Sequence, residues 1–451
     1  MTGSRAVVVG GGLAGLAAAV RIAQRGVEVV LLEGRPRLGG ATYSFPRNGL
    51  LIDNGQHVLL RCYDEHLRFL NDIGTSRLVE FQSRFDIPVL MPGRPPARLY
   101  RTPRLPAPLH LLAGLATYRP LTPRQRLKVL DAARRLRFLD PDDPSLDNQS
   151  FGSWLRDNGQ SARSVSALWD LFIVAALNTT CDEASLQLAV KVFRTALLTR
   201  AAAADVGIPL VPLSGLHATP AANTLDRLGA KVMLRTKATA VRRADDGTLV
   251  VATDGGDVAA DVVVLATPHT QAGKLLPAGA VAQSSAQLGS VPILNAHFVF
   301  DRRVTELRFC AAVGSPIQWT FDRTRIAGGH PDEQYLAVSL SAAEELIDLP
   351  AELLRESLYP ELARLFPAAR SAVVRDFFVT RERHATFRQA AGCGQHRPSA
   401  TTATAGLFLA GSWTATGWPD TMEGAVRSGN IAASHALEHI GFPHMSSVAE
   451  R

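Results

Sequence analysis

A glycine-rich turn between an apolar strand and a helical pattern constrains this chain more than any other feature. Residues 7–15 read VVVGGGLAG, which contains a GxGxxG spacing directly after a β-branched run. Gly10 allows a tight turn, Gly12 lets backbone N–H groups approach a pyrophosphate, and Gly15 lets the helix pack closely on the strand. The spacing therefore predicts the first strand, turn and helix of a dinucleotide-binding unit.

An acidic residue completes this unit. A second apolar run over 29–32 ends at Glu33, close to the ~20-residue spacing expected for a carboxylate that binds a ribose hydroxyl. Gly26 separates the helix from this second strand. A carboxylate accepts hydrogen bonds from an unphosphorylated ribose and repels a 2′-phosphate, so the pattern favours FAD or NAD over NADP.

Length and hydropathy indicate a globular, multidomain protein. The chain has 451 residues, of which 46% are hydrophobic and 20% charged, enough for two sizeable cores. No uninterrupted apolar run reaches the ~18 residues of a membrane-spanning helix. Because the first strand begins by Ala6, cleavage of a signal peptide would destroy the glycine fingerprint, and we expect a cytoplasmic protein.

The cysteines and histidines give no reason to propose a metal. The four cysteines are far apart and form no CxxC pair, and the 12 histidines include no HExxH. Free thiols are the expectation for Cys62, Cys181, Cys310 and Cys393.

Positive charge is concentrated in one segment. Residues 91–140 contain 11 Arg and Lys and 2 Asp, and their net charge of +9 (11 − 2) exceeds the net charge of +7 for the whole chain. A short apolar helix over 109–116, flanked by prolines, and a basic helix over 123–139 are predicted there. Two interpretations stay open: a segment lying on an anionic membrane surface, or a lid helix on a substrate domain with solvated arginines. Nucleic-acid binding is disfavoured because few aromatic residues interleave with the basic ones.

The strand and helix patterns indicate a discontinuous organisation. Residues 1–75, 206–269 and 386–451 are predicted to form the nucleotide-binding domain, and 76–205 with 270–385 a substrate-binding domain. Within the first, we predict one strand over 231–243, a buried strand over 261–268 that re-enters the main sheet, and a final helix over 423–440. Alternating aromatics in 295–300 and 317–321 could line a cavity or form an ordinary sheet core.

Five motifs carry a family resemblance over essentially the full length. They are VVVGGGLAGLAAA (7–19), LLEGRPRLGGATYSF (31–45), LIDNGQHVLL (51–60), RHATF (383–387) and LFLAGSWTATGWPDTMEGAVRSG (407–429). The chain resembles the flavin amine oxidase/phytoene desaturase superfamily and, within it, the squalene-associated FAD-dependent desaturases, or hydroxysqualene dehydroxylases. The resemblance implies an α/β fold: an FAD-binding, Rossmann-like (GR2-type) doubly wound sheet with an inserted α+β substrate domain and a helical, membrane-facing subregion.

The resemblance also implies which residues hold FAD. Gly39 and Gly40 would pass close to the diphosphate, Arg35 beside the ribose and adenine, Gly411 near the ribityl-phosphate, and Met422 at the flavin pyrimidine ring, where a helix N-terminus favours electron density. The full predicted set is Gly10, Gly12, Leu13, Ala14, Gly15, Glu33, Gly34, Arg35, Gly39, Gly40, Ala41, Asn54, Gln56, His57, Ala238, Gly411, Ser412, Met422, Glu423 and Ala425.

Two positions depart from the family pattern. Ala41 stands where an Arg usually follows the glycine pair, and Ser412 stands where a carboxylate usually holds a ribityl hydroxyl. A serine hydroxyl is a weaker acceptor than an ionised carboxylate, so both changes are expected to weaken flavin affinity without abolishing it.

The reaction implied by the resemblance is reductive removal of the allylic hydroxyl of hydroxysqualene, which gives squalene and water. It needs a general acid, a dry apolar tunnel and reduced flavin as hydride donor. The acid candidates are Asp420, His57 and Asp53, although Asp53 and His57 could instead bind backbone near FAD, and Asp420 could instead cap the following helix. The chain contains no second dinucleotide fingerprint, so a partner reductase, free reduced flavin or NAD(P)H must supply electrons.

Two other functions stay open. One is a flavin-dependent carotenoid desaturase or an amine or porphyrinogen oxidase, with Trp413 and Trp418 framing a substrate. The other is a non-catalytic isoprenoid-lipid-binding protein on the same fold. The intact N-terminal glycine loop and C-terminal flavin block disfavour the latter.

Overall fold

The computed structural model describes residues 4–281 and 285–443. The strands in these ranges are β1 Arg5–Val9, β2 Glu28–Glu33, β3 Ser44–Arg47, β4 Leu50–Asp53, β5 Leu59–Leu60, β6 Val79–Phe81, β7 Asp86–Met91, β8 Arg94–Tyr100, β9 Val206–Pro209, β10 Lys231–Leu234, β11 Ala238–Arg243, β12 Leu249–Thr253, β13 Gly256–Ala260, β14 Val262–Leu265, β15 Val291–Phe300, β16 Phe309–Ala312, β17 Trp319–Asp322, β18 Gln334–Ser341, β19 Val374–Thr386 and β20 Leu407–Leu409.

Helices connect and cover these strands. The α-helices are α1 Leu13–Ala23, α2 Asp64–Asp72, α3 Leu112–Ala116, α4 Pro123–Phe138, α5 Phe151–Asp157, α6 Ala162–Ser164, α7 Asp170–Leu177, α8 Leu186–Phe193, α9 Thr219–Arg227, α10 His269–Leu275, α11 Ala351–Leu365 and α12 Met422–His439. Short π-helical turns occupy Val165–Trp169, Arg194–Leu198 and Ser214–Ala218.

A five-stranded parallel sheet in the order β10-β2-β1-β14-β20 forms the centre of the nucleotide-binding part. Its inner strands are nearly continuous Val and Leu because both faces are covered. On one face α1 and α12 cross closely: a Cβ added to Gly429 would lie 2.1 Å from the Ala14 carbonyl oxygen. The predicted Rossmann-like α/β fold is confirmed, as are the re-entering strand β14 and the final helix α12.

The strand predicted over 231–243 is wrong, because two strands in two different sheets occupy it. β10 joins the parallel sheet, whereas β11 pairs with β12 in a three-stranded antiparallel sheet. The chain turns between them at Arg235, which adopts a positive φ of 53°, and the amide of Thr236 donates to the Glu33 carbonyl over 3.0 Å. Contacts with β2, distant in sequence, therefore impose the break.

A seven-stranded mixed sheet, in the order β19-β15-β18-β17-β16-β7-β8, forms the second large layer. Phe298 and Phe300 on β15 are fully buried, with ring centroids 6.2 Å apart, and pack with apolar residues of α11. These two rings belong to a sheet core, so the ordinary interpretation of that aromatic alternation is correct. The residue boundaries predicted for the two domains stay predictions.

The basic segment folds as a helical pair, α3 and α4. A capping box between Thr122 and Gln125 begins α4, and Arg126 donates to the Tyr118 carbonyl over 3.1 Å, which ties the end of α3 to α4. The predicted basic helix is confirmed over 123–138. None of the helices within residues 4–281 and 285–443 has the length and hydrophobicity needed to cross a bilayer.

Candidate functional site

The N-terminal glycine loop forms an anion cradle. Gly10 adopts φ +107°, and a Cβ there would lie 2.5 Å from the Ala266 carbonyl oxygen. Gly12 is the N-cap of α1 and offers no capping side chain, and the nearest atom to a Cβ at Gly12 would be the Gly40 Cα at 3.7 Å. The first-turn amides of α1, at Leu13 and Ala14, have no intrahelical acceptor and Gly12 supplies no capping side chain, which is the arrangement that binds a pyrophosphate.

The second loop, residues 38–41, closes over the first. The Gly39 amide donates to the Gly11 carbonyl over 2.8 Å, and a Cβ on Gly40 would lie 2.8 Å from the Gly12 Cα. Both glycines have positive φ, 104° and 56°. Ala41, the first departure from the family pattern, contributes its carbonyl, which accepts from the Asn54 side chain over 2.9 Å.

Glu33 lies at the end of β2 beside both loops. One carboxylate oxygen accepts from the Gly11 amide over 2.7 Å and the other from the Arg35 amide over 2.8 Å. These bonds fix the carboxylate at the loop and leave lone pairs for a ribose hydroxyl. Arg35 is exposed beside it and Gly34 packs on Lys237, which precedes Ala238 at the start of β11.

The C-terminal motif forms the other side of the site. Gly411 follows β20 with φ +140°, and a Cβ there would overlap the Trp413 indole at 2.3 Å. The Trp413 N–H donates to the Thr267 carbonyl over 3.0 Å, and Trp418 lies under the guanidinium of Arg427 at 4.3 Å. No ring contact joins the two tryptophans in the part of the chain that the structure describes.

Arg397 is a functional residue that the sequence patterns did not reveal. Its buried guanidinium donates to the carbonyls of Ser412 over 2.9 Å, Thr414 over 2.6 Å and Trp418 over 2.8 Å. Burial lowers the pKa of this guanidinium. One side chain thus fixes the whole 412–418 loop, and no local motif signals this role because its acceptors are backbone atoms.

Asp420 binds the same loop. Its carboxylate accepts from the Phe387 amide over 2.9 Å and from the hydroxyl of Ser412, the second departure from the family pattern. Burial raises the pKa of the Asp420 carboxyl, against the opposing effect of these hydrogen bonds. Thr421, not Asp420, caps α12: its hydroxyl accepts from the Gly424 amide over 3.1 Å. The capping alternative for Asp420 is therefore wrong.

Asp53 is a structural carboxylate in this arrangement. It is buried and forms an ion pair with the buried Arg323, and it accepts from the Leu213 amide over 2.9 Å and the Ser44 hydroxyl over 2.6 Å. Both Asp53 oxygens are therefore occupied by protein partners, which leaves this side chain a structural role between Ser44, Leu213 and Arg323.

The turn over 54–57 lies where the nucleotide-binding part meets the seven-stranded sheet. The Asn54 carbonyl accepts from Thr380 of β19 over 3.0 Å and from Asn295 of β15 over 3.3 Å. His57 Nδ1 contacts the Gly55 carbonyl at 3.3 Å, and desolvation lowers the pKa of this imidazole. A neutral His57 is a weak acid but retains an acceptor at Nε2.

Glu423 is turned away from the cradle. Its fully buried carboxylate accepts from the amide of His66 over 2.8 Å and that of Glu65 over 3.2 Å, and it forms an ion pair with Arg427 at 2.6 Å. This side chain therefore caps α2, and only backbone groups of Met422, Glu423 and Ala425 at the start of α12 are left to meet a cofactor. Next to it, His66 and His217 share a buried Nε2···Nε2 contact of 3.0 Å.

The glycine cradle fits a bound dinucleotide cofactor, because side chains at Gly12 or Gly40 would fill the space between the two loops. The Gln56 amide and the Thr267 hydroxyl are buried with no hydrogen-bond partner in the described residues.

Comparison with known proteins identifies the protein family of this chain. The family model described as flavin containing amine oxidoreductase matches residues 13–437. The chain belongs to this family. It is therefore an FAD-dependent oxidoreductase.

Curated relatives narrow the family further. A hydroxysqualene dehydroxylase of Rhodopseudomonas palustris is 30% identical over 95% of this chain and 97% of that protein. A second, from Zymomonas mobilis, is 28% identical over 96% of this chain and 99% of its own length. The zeta-carotene desaturase of Zea mays is 27% identical over 96% of this chain and 83% of that protein. The predicted resemblance to hydroxysqualene dehydroxylases is confirmed.

Solved structures share the fold at lower identity. A putrescine oxidase variant superimposes with a TM-score of 0.72, 18% identity and coverage of 96% of this chain and 99% of that chain. A protein described as a putative protoporphyrinogen oxidase from Exiguobacterium superimposes with a TM-score of 0.69 over 98% and 99% of the two chains, also at 18% identity. This flavoenzyme therefore has the architecture of flavin amine oxidases.

Proposed function

We propose that this flavoenzyme removes the allylic hydroxyl of hydroxysqualene to give squalene and water, a step of isoprenoid and hopanoid biosynthesis. The observation that carries the proposal is the Asp420 carboxyl, which lies just before α12, is held by the Phe387 amide and the Ser412 hydroxyl, and has its pKa raised by burial. Hydroxide is a poor leaving group and needs a proton as it departs. Full-length similarity to hydroxysqualene dehydroxylases supports the same reaction.

Asp420 is the preferred acid because each of the other two candidates lacks a property that a proton donor to the substrate needs. Both oxygens of Asp53 are occupied by Arg323, Leu213 and Ser44, and burial lowers the pKa of His57, so that the imidazole does not hold a proton ready for transfer. A raised carboxyl pKa keeps a larger fraction of Asp420 protonated near neutral pH. The Phe387 amide and the Ser412 hydroxyl, which bind the Asp420 oxygens, stabilise the carboxylate that remains after transfer.

The chemistry divides between the cofactor and the protein. When bound in its reduced form, FAD supplies a hydride to the allylic carbon. Asp420 donates its proton to the departing oxygen as the C–O bond breaks, so the products are squalene and one water molecule. Arg397 holds the 412–418 loop in place and thereby positions Ser412 against Asp420.

The test uses single-turnover spectroscopy. Photoreduced enzyme is mixed with hydroxysqualene without oxygen, and we expect the oxidised flavin spectrum to return together with squalene in the lipid extract. If no reoxidation occurs with the parent protein, the dehydroxylase proposal is wrong, and turnover of oxidised flavin with a carotenoid or amine should be measured.

Asp420→Asn tests the acid. The variant keeps the size of the side chain but loses the titratable proton, so it should bind FAD normally and reoxidise about 10²–10⁴-fold more slowly. Asp226→Asn, at an exposed position on α9, is the matched control and should keep the parent rate. A parent-like rate for Asp420→Asn would reject Asp420 as the acid, and His57→Gln would be measured next.

We further propose that the α3–α4 segment rests on the anionic inner face of the cell membrane. Among residues 4–281 and 285–443, six of the twelve exposed large hydrophobic side chains fall within 105–138, among them Leu109, Leu127 and Phe138, the last two 69% and 75% exposed. Exposed arginines, including Arg124 and Arg137, flank them. Apolar side chains beside basic ones suit a surface of anionic lipids, from which the isoprenoid substrate would enter.

The membrane proposal is tested by replacing the exposed apolar side chains of α4 with polar ones. Leu127→Asn with Phe138→Asn should reduce co-sedimentation with anionic liposomes, and charge reversal of Arg134, Arg135 and Arg137 should reduce it most at low salt. Leu353→Asn, at a position on α11 that is 50% exposed, is the control. Unchanged binding in both variants would support the lid interpretation of this segment instead.

A further inference from the structure

The fully buried side chain of Gln389 joins the candidate acid to a distant helix. Its Oε1 accepts from the Asp420 backbone amide over 2.8 Å, and its Nε2 donates to the Leu177 carbonyl over 2.8 Å. Leu177 is the last residue of α7, in the helical part of the chain that is predicted to bind substrate. One side-chain amide therefore ties the Asp420 main chain to that helical part.

The segment after β19 holds Asp420 at two points. The Phe387 amide donates to the Asp420 carboxylate over 2.9 Å, and Gln389, two residues later, accepts from the Asp420 N–H. The first hydrogen bond fixes the carboxylate, and the second fixes the main chain from which it projects. On its other side Asp420 is followed by Thr421, the N-cap of α12. The acid is thus held between the start of a helix and this segment.

The groups that anchor Gln389 are themselves fixed. Its carbonyl accepts from the amide of Ser185, the buried N-cap of α8, over 2.9 Å. The end of α7 is fixed by Asn178, a buried residue with a φ of +52°, which donates to the Val291 carbonyl over 3.1 Å and to the Thr386 hydroxyl over 3.0 Å. A catalytic group is placed precisely when its supports are rigid.

We propose that Gln389 is a positioning residue, which holds the Asp420 main chain against α7 and thereby sets the place where the acid delivers its proton. The inference rests on the proposed function, in which Asp420 protonates the departing hydroxyl. Proton transfer requires the acid within hydrogen-bond reach of the leaving oxygen, and a displacement of about 1 Å can cost about 100-fold in rate. Without Gln389, the Asp420 N–H loses its acceptor and the link to α7 is broken.

Loss of this link should also change the pKa of Asp420. Burial raises that pKa, while the Ser412 hydroxyl, the Phe387 amide and the positive charge of Arg397 oppose the rise. When the main chain is no longer held, the carboxyl gains access to water and its pKa falls towards the ordinary value. The protonated fraction of Asp420 at neutral pH then decreases, and the rate of protonation decreases with it.

The first test uses oxidised holoenzyme, so that it does not depend on turnover. The C=O stretch of the protonated Asp420 carboxyl is followed by infrared difference spectroscopy between successive pH values, and the band is assigned by its absence from Asp420→Asn. In Gln389→Met, which removes both hydrogen bonds at a similar side-chain volume, this carboxyl should titrate at a lower pH than in the parent.

Gln334→Met is the matched control. Gln334 on β18 is also fully buried and paired at both ends, but its partners include the Val304 amide, at 2.7 Å, and the Asp322 carboxylate, at 2.7 Å. None of its partners belongs to the segment that holds Asp420. The control variant should lose stability but keep the parent titration of Asp420.

The second test is the single-turnover assay. Gln389→Met should reoxidise about 10- to 100-fold more slowly than the parent, and this factor should grow as the pH rises, because the parent keeps Asp420 protonated to a higher pH. Gln334→Met should keep the parent rate. Gln389→Asn, one methylene shorter, retains an amide but cannot reach both partners; it should change both readouts in the same direction and replaces Gln389→Met if that variant does not fold.

Two results would overturn the inference. One is a parent-like titration of Asp420 in the Gln389 variants, and the other is an equal shift in Gln334→Met, which would indicate a general effect of lost packing. Failure of the parent enzyme to convert hydroxysqualene would instead reject the proposed function, whereas the infrared titration would still decide whether Gln389 holds Asp420.

Discussion

Buried neutral histidines should make this protein sensitive to mild acid. His297 is fully buried on β15 between the Tyr335 hydroxyl, 2.7 Å from Nδ1, and the Thr380 hydroxyl, 3.0 Å from Nε2, and it stacks on Phe378 at 4.4 Å. Burial lowers the pKa of His297 to about 3, and that of His66 likewise. The unfolded chain titrates near the ordinary value of ~6.5.

Proton linkage gives the sign and the size of the effect of these histidines on the free energy of unfolding. Between pH 6.5 and pH 3 the unfolded state binds more protons than the folded state, so the stability is present above pH 6.5 and is lost as the pH falls. At pH 5 each of these histidines lowers the free energy of unfolding by about 2 kcal/mol relative to its value well above pH 6.5, and the two together lower it by about 4 kcal/mol. That is a large fraction of the ~5–15 kcal/mol that stabilises a typical domain.

His297→Gln isolates one of these contributions. The variant keeps groups that can bond Tyr335 and Thr380 but has no titratable ring, so its free energy of unfolding should fall less steeply between pH 6.5 and pH 5, by about 1 kcal/mol per pH unit. The measurement is urea unfolding followed by circular dichroism, with FAD at one concentration throughout. His330→Gln, whose side chain is 64% exposed, is the control and should keep the parent slope. A parent-like slope for His297→Gln would refute the reasoning.

Three further substitutions test the cofactor site. Gly12→Val should keep the circular dichroism spectrum of the folded protein, since only the Gly40 Cα lies near the added Cβ, but the purified variant should lack the absorbance of bound FAD. Gly15→Ala should instead lower Tm or prevent folding, because its Cβ would lie 1.8 Å from the Gly10 carbonyl oxygen. Arg397→Lys should lower the free energy of unfolding by about 2–4 kcal/mol, because an ammonium cannot reach carbonyls spread over seven residues. The same variant should bind FAD more weakly in a fluorescence titration.

The cofactor cradle could be predicted from the sequence because its determinants are local. Gly10, Gly12 and Gly15 act within one turn, and Glu33 ends the next strand, so spacing alone places them. That β14 belongs to the main sheet could also be predicted, since an unbroken β-branched run favours a covered strand, but its place beside β1 could not.

The remaining features depend on contacts that no local pattern encodes. Asp420 and Thr421 are adjacent and both residue types favour an N-cap, so only the position of the Phe387 amide after β19 decides that Thr421 caps the helix. Likewise, Glu423 looks like a first-turn carboxylate of its own helix, yet it caps α2 across 357 residues of sequence to His66.

The strand order of the parallel sheet has a consequence for how the enzyme is made. β1 and β2 leave the ribosome before their neighbour β14, which ends at Leu265, and the edge strand β20 and the covering helix α12 follow only after residue 406. During most of translation, the apolar β1 and the Ala-rich face of α1 lack their native cover. The nascent chain therefore exposes this apolar surface while several hundred further residues are made, and the cofactor site is complete only after α12 has been synthesised.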